Sequence, residues 1–219
     1  MARLYISNIN AFNDLNGVEL VTNARKERIH QYKQHKDKVR CLLVGLLLRK
    51  VCDITDDSQL IYGQNGKPYL KNNTIHFSIS HSGDYVILAT ADNEVGVDIE
   101  KVNTYPEDNH FKDVATRFFT PQEYEWILQE KRNEAFYNEA FYYIWTAKES
   151  IMKGTGLGFS LSPRNFCVLP IDSSAHNIVD RHWFFNWIQF DNHIICQAIE
   201  NKQEKIEILT VGRDELIVG

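Results

Sequence analysis

Two short stretches decide how this chain reads: Val95-Gly96-Val97-Asp98-Ile99-Glu100 and Trp145-Thr146-Ala147-Lys148-Glu149-Ser150-Ile151-Met152-Lys153-Gly154. In the first, Asp98 and Glu100 sit two residues apart in an apolar run. Side chains alternate along a strand, so both carboxylates emerge on one face. In the second, Glu149 and Lys153 are four residues apart on a strongly helical stretch and share a face. Three carboxylates brought together suit a hard cation with oxygen ligands, and magnesium prefers this arrangement when a phosphate ester completes its shell. Lys153 would then reach a phosphate oxygen. Each pair also has a plainer reading. Two carboxylates on alternate strand positions describe a solvated face equally well, and Glu149 with Lys153 alone is a helical ion pair contributing ~0.3–0.5 kcal/mol.

Outward from these stretches the pattern is mixed. Residues 4–9 read as an opening strand. Residues 24–52 read as a helix that turns from basic to richly apolar at Val39, Leu42, Leu43, Leu46, Leu47 and Val51. Asn65-Gly66-Lys67-Pro68 marks a turn. Residues 75–80, 85–91 and 95–100 read as three strands of an antiparallel meander. Residues 121–153 form a long aromatic-rich helix with Pro121 near its first turn, ended by Gly154 and Gly156. Strand-like runs follow at 166–169, 183–190, 193–199 and 206–211. Periodicity therefore gives an α+β chain.

Composition bounds the function classes. The 219 residues can bury a sizeable core, and 43% apolar with 24% charged residues is ordinary for a globular protein. The net charge of −5 speaks against a nucleic-acid-coating protein. Cys41, Cys52, Cys167 and Cys196 form neither a Cys-x-x-Cys pair nor a zinc spacing, and read as buried thiols of a cytosolic protein. The opening Met1-Ala2-Arg3-Leu4-Tyr5-Ile6 lacks a long apolar signal region, and the apolar run 41–48 is too short to span a membrane.

Together the two stretches resemble the signature of the 4′-phosphopantetheinyl transferases of the monomeric, surfactin-type group: a Gly-x-Asp-x-Glu strand, then a Trp-[Ser/Thr]-x-Lys-Glu-[Ala/Ser]-x-x-Lys helix. Further fragments resemble that family in order. They are Asn65-Gly66-Lys67-Pro68, Phe77-Ser78-Ile79-Ser80-His81-Ser82, Arg117-Phe118-Phe119-Thr120-Pro121-Gln122-Glu123-Tyr124 and Gly156-Leu157-Gly158-Phe159-Ser160-Leu161. The likeness covers roughly residues 20–170. It implies two similar α+β halves, each an antiparallel sheet with a long helix, related by a pseudo-two-fold axis with the active site between them. We divide them as 1–103, the coenzyme A 3′-phosphate side with the Asp-x-Glu strand, and 104–219, the carrier-protein side with the long helix.

The reaction that the resemblance implies is transfer of the 4′-phosphopantetheine arm of coenzyme A to a serine of an apo acyl or peptidyl carrier protein, releasing 3′,5′-ADP. Charge neutralisation and positioning are what the pyrophosphate demands. Asp98, Glu100 and Glu149 would hold magnesium, with Glu149 also the candidate general base. Lys153 would balance charge on the leaving phosphate or protonate it. Lys148 would share that role or face solvent. The 3′-phosphate would be met by Arg25, Arg28 and Arg40, then by Lys67, Ser80 and His81. Trp145 reads as core. Phe118, Phe119 and Tyr124 are candidates for carrier docking. Gly154-Thr155-Gly156-Leu157-Gly158 is not a dinucleotide loop, because it follows a helix instead of a strand. Its expected role is a flexible stop that lets backbone approach coenzyme A or the second half. No nucleic acid or membrane partner is expected, and the doubled length implies a monomer. The carrier could serve fatty-acid, polyketide or nonribosomal-peptide synthesis. Two rivals remain: a metal-dependent phosphodiesterase or nuclease using the same carboxylates, and a non-catalytic carrier-binding module.

Overall fold

A computed structural model of the chain describes residues 1–103, 109–130, 134–172, 174–201 and 205–217. In chain order the elements are β1 (Ala2–Asn8), α1 (Asn23–Gln31), α2 (His35–Cys52), β2 (Leu60–Tyr62), β3 (Pro68–Leu70), β4 (His76–Ser82), β5 (Tyr85–Ala91) and β6 (Val95–Lys101). They continue with α3 (Asn109–Phe118), α4 (Pro121–Glu130), α5 (Glu134–Thr155), β7 (Ala175–Ile178), β8 (Arg181–Phe190), β9 (His193–Glu200), β10 (Ile206–Thr210) and α6 (Arg213–Ile217). The fold is α+β, in two compact units. One comprises residues 1–92 with the C-terminal stretch from 205, and the other residues 93–204.

The first unit holds a four-stranded sheet in the order β10-β1-β5-β4. β1 pairs antiparallel with β5 and parallel with β10, Leu4 lying opposite Ile208. Its core is built on α2. Leu42, Leu43, Leu46 and Leu47 are fully buried in one cluster with Phe77, Val86 and Leu88. Ten of the eighteen residues of α2 are buried. A helix so apolar on most sides cannot sit on a surface, so it forms the centre of the unit. β4 and β5 form a hairpin whose two-residue loop is Gly83-Asp84. Gly83 takes φ +54°, at the first central position of such a loop, where glycine carries no steric penalty.

The second unit has a sheet in the order β6-β9-β8-β7, all antiparallel, and α5 packs against β6 and β9. Ala140, Ile144, Ala147 and Ile151 recur at helical spacing and are fully buried with Ile194, Cys196 and Ala198 of β9 and Trp183 of β8. Among the described residues, no helix is long and apolar enough to cross a membrane.

Several expectations need correction. The third strand of the expected meander leaves the first sheet: β6 pairs with β9, Asp98 opposite Cys196. The compact units accordingly divide between Asp92 and Asn93, and not at 103/104, and β10 returns the C-terminal stretch to the first unit. The single helix read over 24–52 breaks at residues 32–34. Residues 30–36 are exposed on every side, so no buried face carries a helix across them. Residues 166–169 are not a strand. Residues 131–133, inside the long helix as read, lie outside the described residues.

Candidate functional site

The site of the second unit begins with two glycines. A β-carbon on Gly96 would fall 1.8 Å from the carbonyl oxygen of Ser150 and 2.5 Å from the backbone nitrogen of Gly154. One on Gly154 would meet the Trp183 ring at 2.8 Å and Gly96 N at 3.3 Å. Only two residues without side chains let β6 lie this close along α5. Gly154 is thus a packing residue within α5, which runs on to Thr155; Gly156, at φ +70°, follows its end.

This close approach brings the two stretches together. Lys153 Nζ lies 2.6 Å from Asp98 Oδ1, in an ion pair whose aspartate side chain is 5% exposed. Glu149 lies one helical turn before Lys153 and is half-buried. Burial raises its pKa, the Asp98 charge raises it further, and the Lys153 ammonium opposes both. Glu100 follows two residues along the same face of β6 and is half-buried. Among the described residues, no three His, Cys, Asp or Glu side chains converge into a complete metal cage. What the structure brings together is two carboxylates and an ammonium, a cluster with net negative charge and hard oxygen donors. Trp145 belongs to an aromatic cluster, stacked on Phe141 at 6.3 Å and edge-on to Phe118 at 5.9 Å.

Lys148 does not join this group. Its ammonium lies 2.8 Å from Glu123 Oε2, and both side chains are wholly buried. It donates to the carbonyl oxygens of Pro163 and Phe166, each at 2.7 Å. Its three hydrogens are therefore spoken for, and neither coenzyme A binding nor a solvent face suits it. Burial lowers its pKa, against the pull of Glu123. Glu123 is the functional-looking residue that sequence reasoning passed over. Thr120-Pro121-Gln122-Glu123 is a capping box: Glu123 Oε2 accepts from the Thr120 backbone N–H at 2.8 Å, and the Glu123 N–H donates to Thr120 Oγ1 at 3.3 Å. Of the docking candidates, Phe119 is 2% exposed and belongs to the core. Phe118 and Tyr124 are half-buried.

The first unit carries the remaining candidates. Arg25 and Arg28, one turn apart on α1, line one cavity of about 30 Å³ with Thr22, Asp57, Leu60 and Tyr62. Lys67 stands in the β2–β3 turn with its ammonium 5.1 Å from the Tyr69 ring centre. Ser80 is buried near the end of β4, and His81 beside it is exposed. Arg40 reaches the loop that follows these two. It donates to Asp37 at 2.7 Å and to the Gly83 carbonyl at 2.9 Å, so its guanidinium braces the loop that follows Ser80 and His81.

Comparison with known proteins covers both units. Residues 94–203 match the family described as 4'-phosphopantetheinyl transferase superfamily, and residues 15–93 match 4'-phosphopantetheinyl transferase, N-terminal. The chain is 30% identical over 205 residues to 4'-phosphopantetheinyl transferase gsp of Aneurinibacillus migulanus, covering 91% of this chain and 73% of that protein. It is 31% identical over 157 residues to 4'-phosphopantetheinyl transferase Sfp of Bacillus subtilis, covering 69% of this chain and 67% of that protein. Over 206 residues it is 30% identical to the L-aminoadipate-semialdehyde dehydrogenase-phosphopantetheinyl transferase of Rattus norvegicus, covering 80% of this chain and 65% of that protein.

Proposed function

The chain belongs to the 4′-phosphopantetheinyl transferase superfamily, and from that premise we propose that Asp98, Glu149 and Lys153 form its reacting centre. The activity is transfer of phosphopantetheine from coenzyme A to carrier proteins. The observation that carries the reading is the Lys153 ammonium held against Asp98 beside half-buried Glu149. An ammonium held against one buried carboxylate, with the charge of Glu149 acting on the same group, marks a place where a cation is favoured.

The donor set suits magnesium, which keeps several waters and takes one or two carboxylates plus substrate phosphates in preference to a closed protein cage. Asp98 and Glu149 would hold it; Glu100, on the same strand face, would add a third oxygen only by turning toward the ion, since no three such side chains converge among the described residues. Bound there, magnesium would neutralise charge on the pyrophosphate and orient it for displacement.

The chain's own groups do the rest. Glu149 accepts the proton of the carrier serine as its oxygen bonds to the phosphorus nearer the pantetheine. The bond from that phosphorus to the bridging oxygen breaks, and 3′,5′-ADP departs. Lys153 donates to the departing phosphate, where charge grows most in the transition state. Arg25, Arg28, Lys67, Ser80 and His81 receive the 3′-phosphate end. The shared cavity of the two arginines supports this.

Both family matches fall in succession on one chain, which supports a monomer. Four free cysteines suit a reducing, cytoplasmic setting. The test is an incubation with apo acyl or peptidyl carrier protein, coenzyme A and magnesium. A carrier heavier by one phosphopantetheine arm, with 3′,5′-ADP released, is the expected result. A hydrolysed phosphodiester, or carrier binding with neither product, overturns the reading.

A further inference from the structure

We propose that Lys148 is a positioning residue: paired with Glu123, it sets the rotation of α5 that turns Glu149 and Lys153 toward Asp98. This rests on the reacting centre proposed above. The pair is wholly buried at 2.8 Å, and it joins three parts of the second unit. Through Glu123 it holds the start of α4, where Oε2 accepts from the Thr120 N–H at 2.8 Å and from Thr120 Oγ1 at 3.0 Å. Through Glu123 Oε1 it holds the Val168 N–H at 2.8 Å, and through Lys148 it holds the Pro163 and Phe166 carbonyls at 2.7 Å. The ammonium also lies 4.5 Å from the Phe166 ring centre.

Helix geometry gives this pin its leverage. Successive residues turn by about 100°, so Glu149 lies one step round the axis from Lys148, and Lys153 lies close to the direction of Glu149. Any roll of α5 moves both groups across Asp98 together. The close-packed apolar face of α5 limits the size of such a roll, and directed hydrogen bonds select the angle within that limit. The Gly96–Gly154 approach fixes how near β6 lies, and the directed bonds of Lys148 fix the angle. A buried ion pair is at best a weak contributor to stability compared with apolar side chains of the same volume. Its use here is orientation.

The test replaces both partners together, Glu123→Gln with Lys148→Met, so that no charge is left buried alone. The introduced glutamine keeps one acceptor oxygen, enough for the Thr120 N–H or the Val168 N–H but not both, and the introduced methionine fills the volume of the lysine stem without a donor for the Pro163 and Phe166 carbonyls. The wild type is run alongside: an inactive wild type condemns the proposed reacting centre, whereas an active one lets the double variant judge Lys148. Turnover, the Michaelis constant for coenzyme A and the melting temperature are measured. Calorimetric binding of magnesium in the presence of coenzyme A is measured with them. The expected result is a folded variant with a lower melting temperature and, measured well below that temperature, turnover lower by about tenfold or more, a nearly unchanged Michaelis constant and weaker magnesium binding. Turnover and magnesium affinity both within about twofold of wild type would overturn the proposal. So would a raised Michaelis constant with intact turnover, which would make Lys148 a substrate-binding residue. Should the double variant fail to fold, Lys148→Arg decides. A longer planar head cannot meet the same three acceptors at the same distances, so turnover and magnesium affinity should fall while charge is kept. Wild-type values for both would overturn the proposal.

Discussion

Gly96 lies so close to Ser150 that a β-carbon on the strand residue would sit 1.8 Å from the helix carbonyl oxygen. The obstacle is backbone, which cannot swing aside as a side chain would. The glycine of the Gly-x-Asp-x-Glu stretch therefore serves packing, and through packing it sets where Asp98 meets Lys153.

Gly96→Ala should separate β6 from α5. Overpacking at a site walled by backbone costs about 1–3 kcal/mol or more. Thermal melts should show the loss. Activity of the folded fraction should fall further than the melts alone explain, because Asp98 moves away from Glu149 and Lys153. A variant as stable and active as wild type would show that the approach is not required.

Glu149→Gln should make the metal-free protein more stable at neutral pH. Burial and the Asp98 charge raise the folded-state pKa of Glu149 above the ordinary value of a glutamate. A carboxyl with a raised pKa binds its proton more tightly when folded. Its contribution therefore favours the fold at low pH and is lost as pH rises through the raised value. The glutamine avoids that loss. Melting temperatures in the presence of a chelator should be higher for the variant at neutral pH and converge with wild type in acid. The reverse order would contradict the burial of charge at Glu149.

Lys153→Ala should lower turnover by about 10²–10³-fold while changing the Michaelis constant for coenzyme A much less. A cation fixed near the departing phosphate favours the transition state over the bound substrate. Steady-state kinetics decide this. A raised Michaelis constant with intact turnover would recast Lys153 as a binding residue.

Lys67→Ala should weaken coenzyme A by about tenfold, the size expected of a hydrogen bond to a charged group, and weaken its 3′-dephospho form less. Comparing the two dissociation constants checks this. Equal weakening would remove Lys67 from the 3′-phosphate.

How far the sequence led depends on the range of each interaction. The sharing of a face by Asp98 and Glu100, and by Glu149 and Lys153, follows from local periodicity; that the two stretches meet was implied by the family resemblance, and the structure pairs Lys153 with Asp98. The departure of β6 to pair with β9 was not legible. Short apolar runs at 75–100 suit a meander equally well, and their partner lies about a hundred residues on. Lys148 misled for a related reason. A lysine beside a glutamate on a helix reads as surface, and only tertiary packing reveals Glu123 opposite it. The capping-box pattern at Thr120 was the one local sign that Glu123 has a structural task.

The most direct measurement compares carrier pantetheinylation rates of Asp98→Asn, Glu149→Gln and the double variant, at saturating coenzyme A and magnesium. If the two carboxylates serve one site, each single variant should lose most of the activity. The double variant should then fall little below the weaker single one, because residues acting as a unit are far from additive. A Glu149→Gln protein turning over at the wild-type rate, or single losses that simply multiply in the double variant, would contradict a single reacting centre built from Asp98, Glu149 and Lys153.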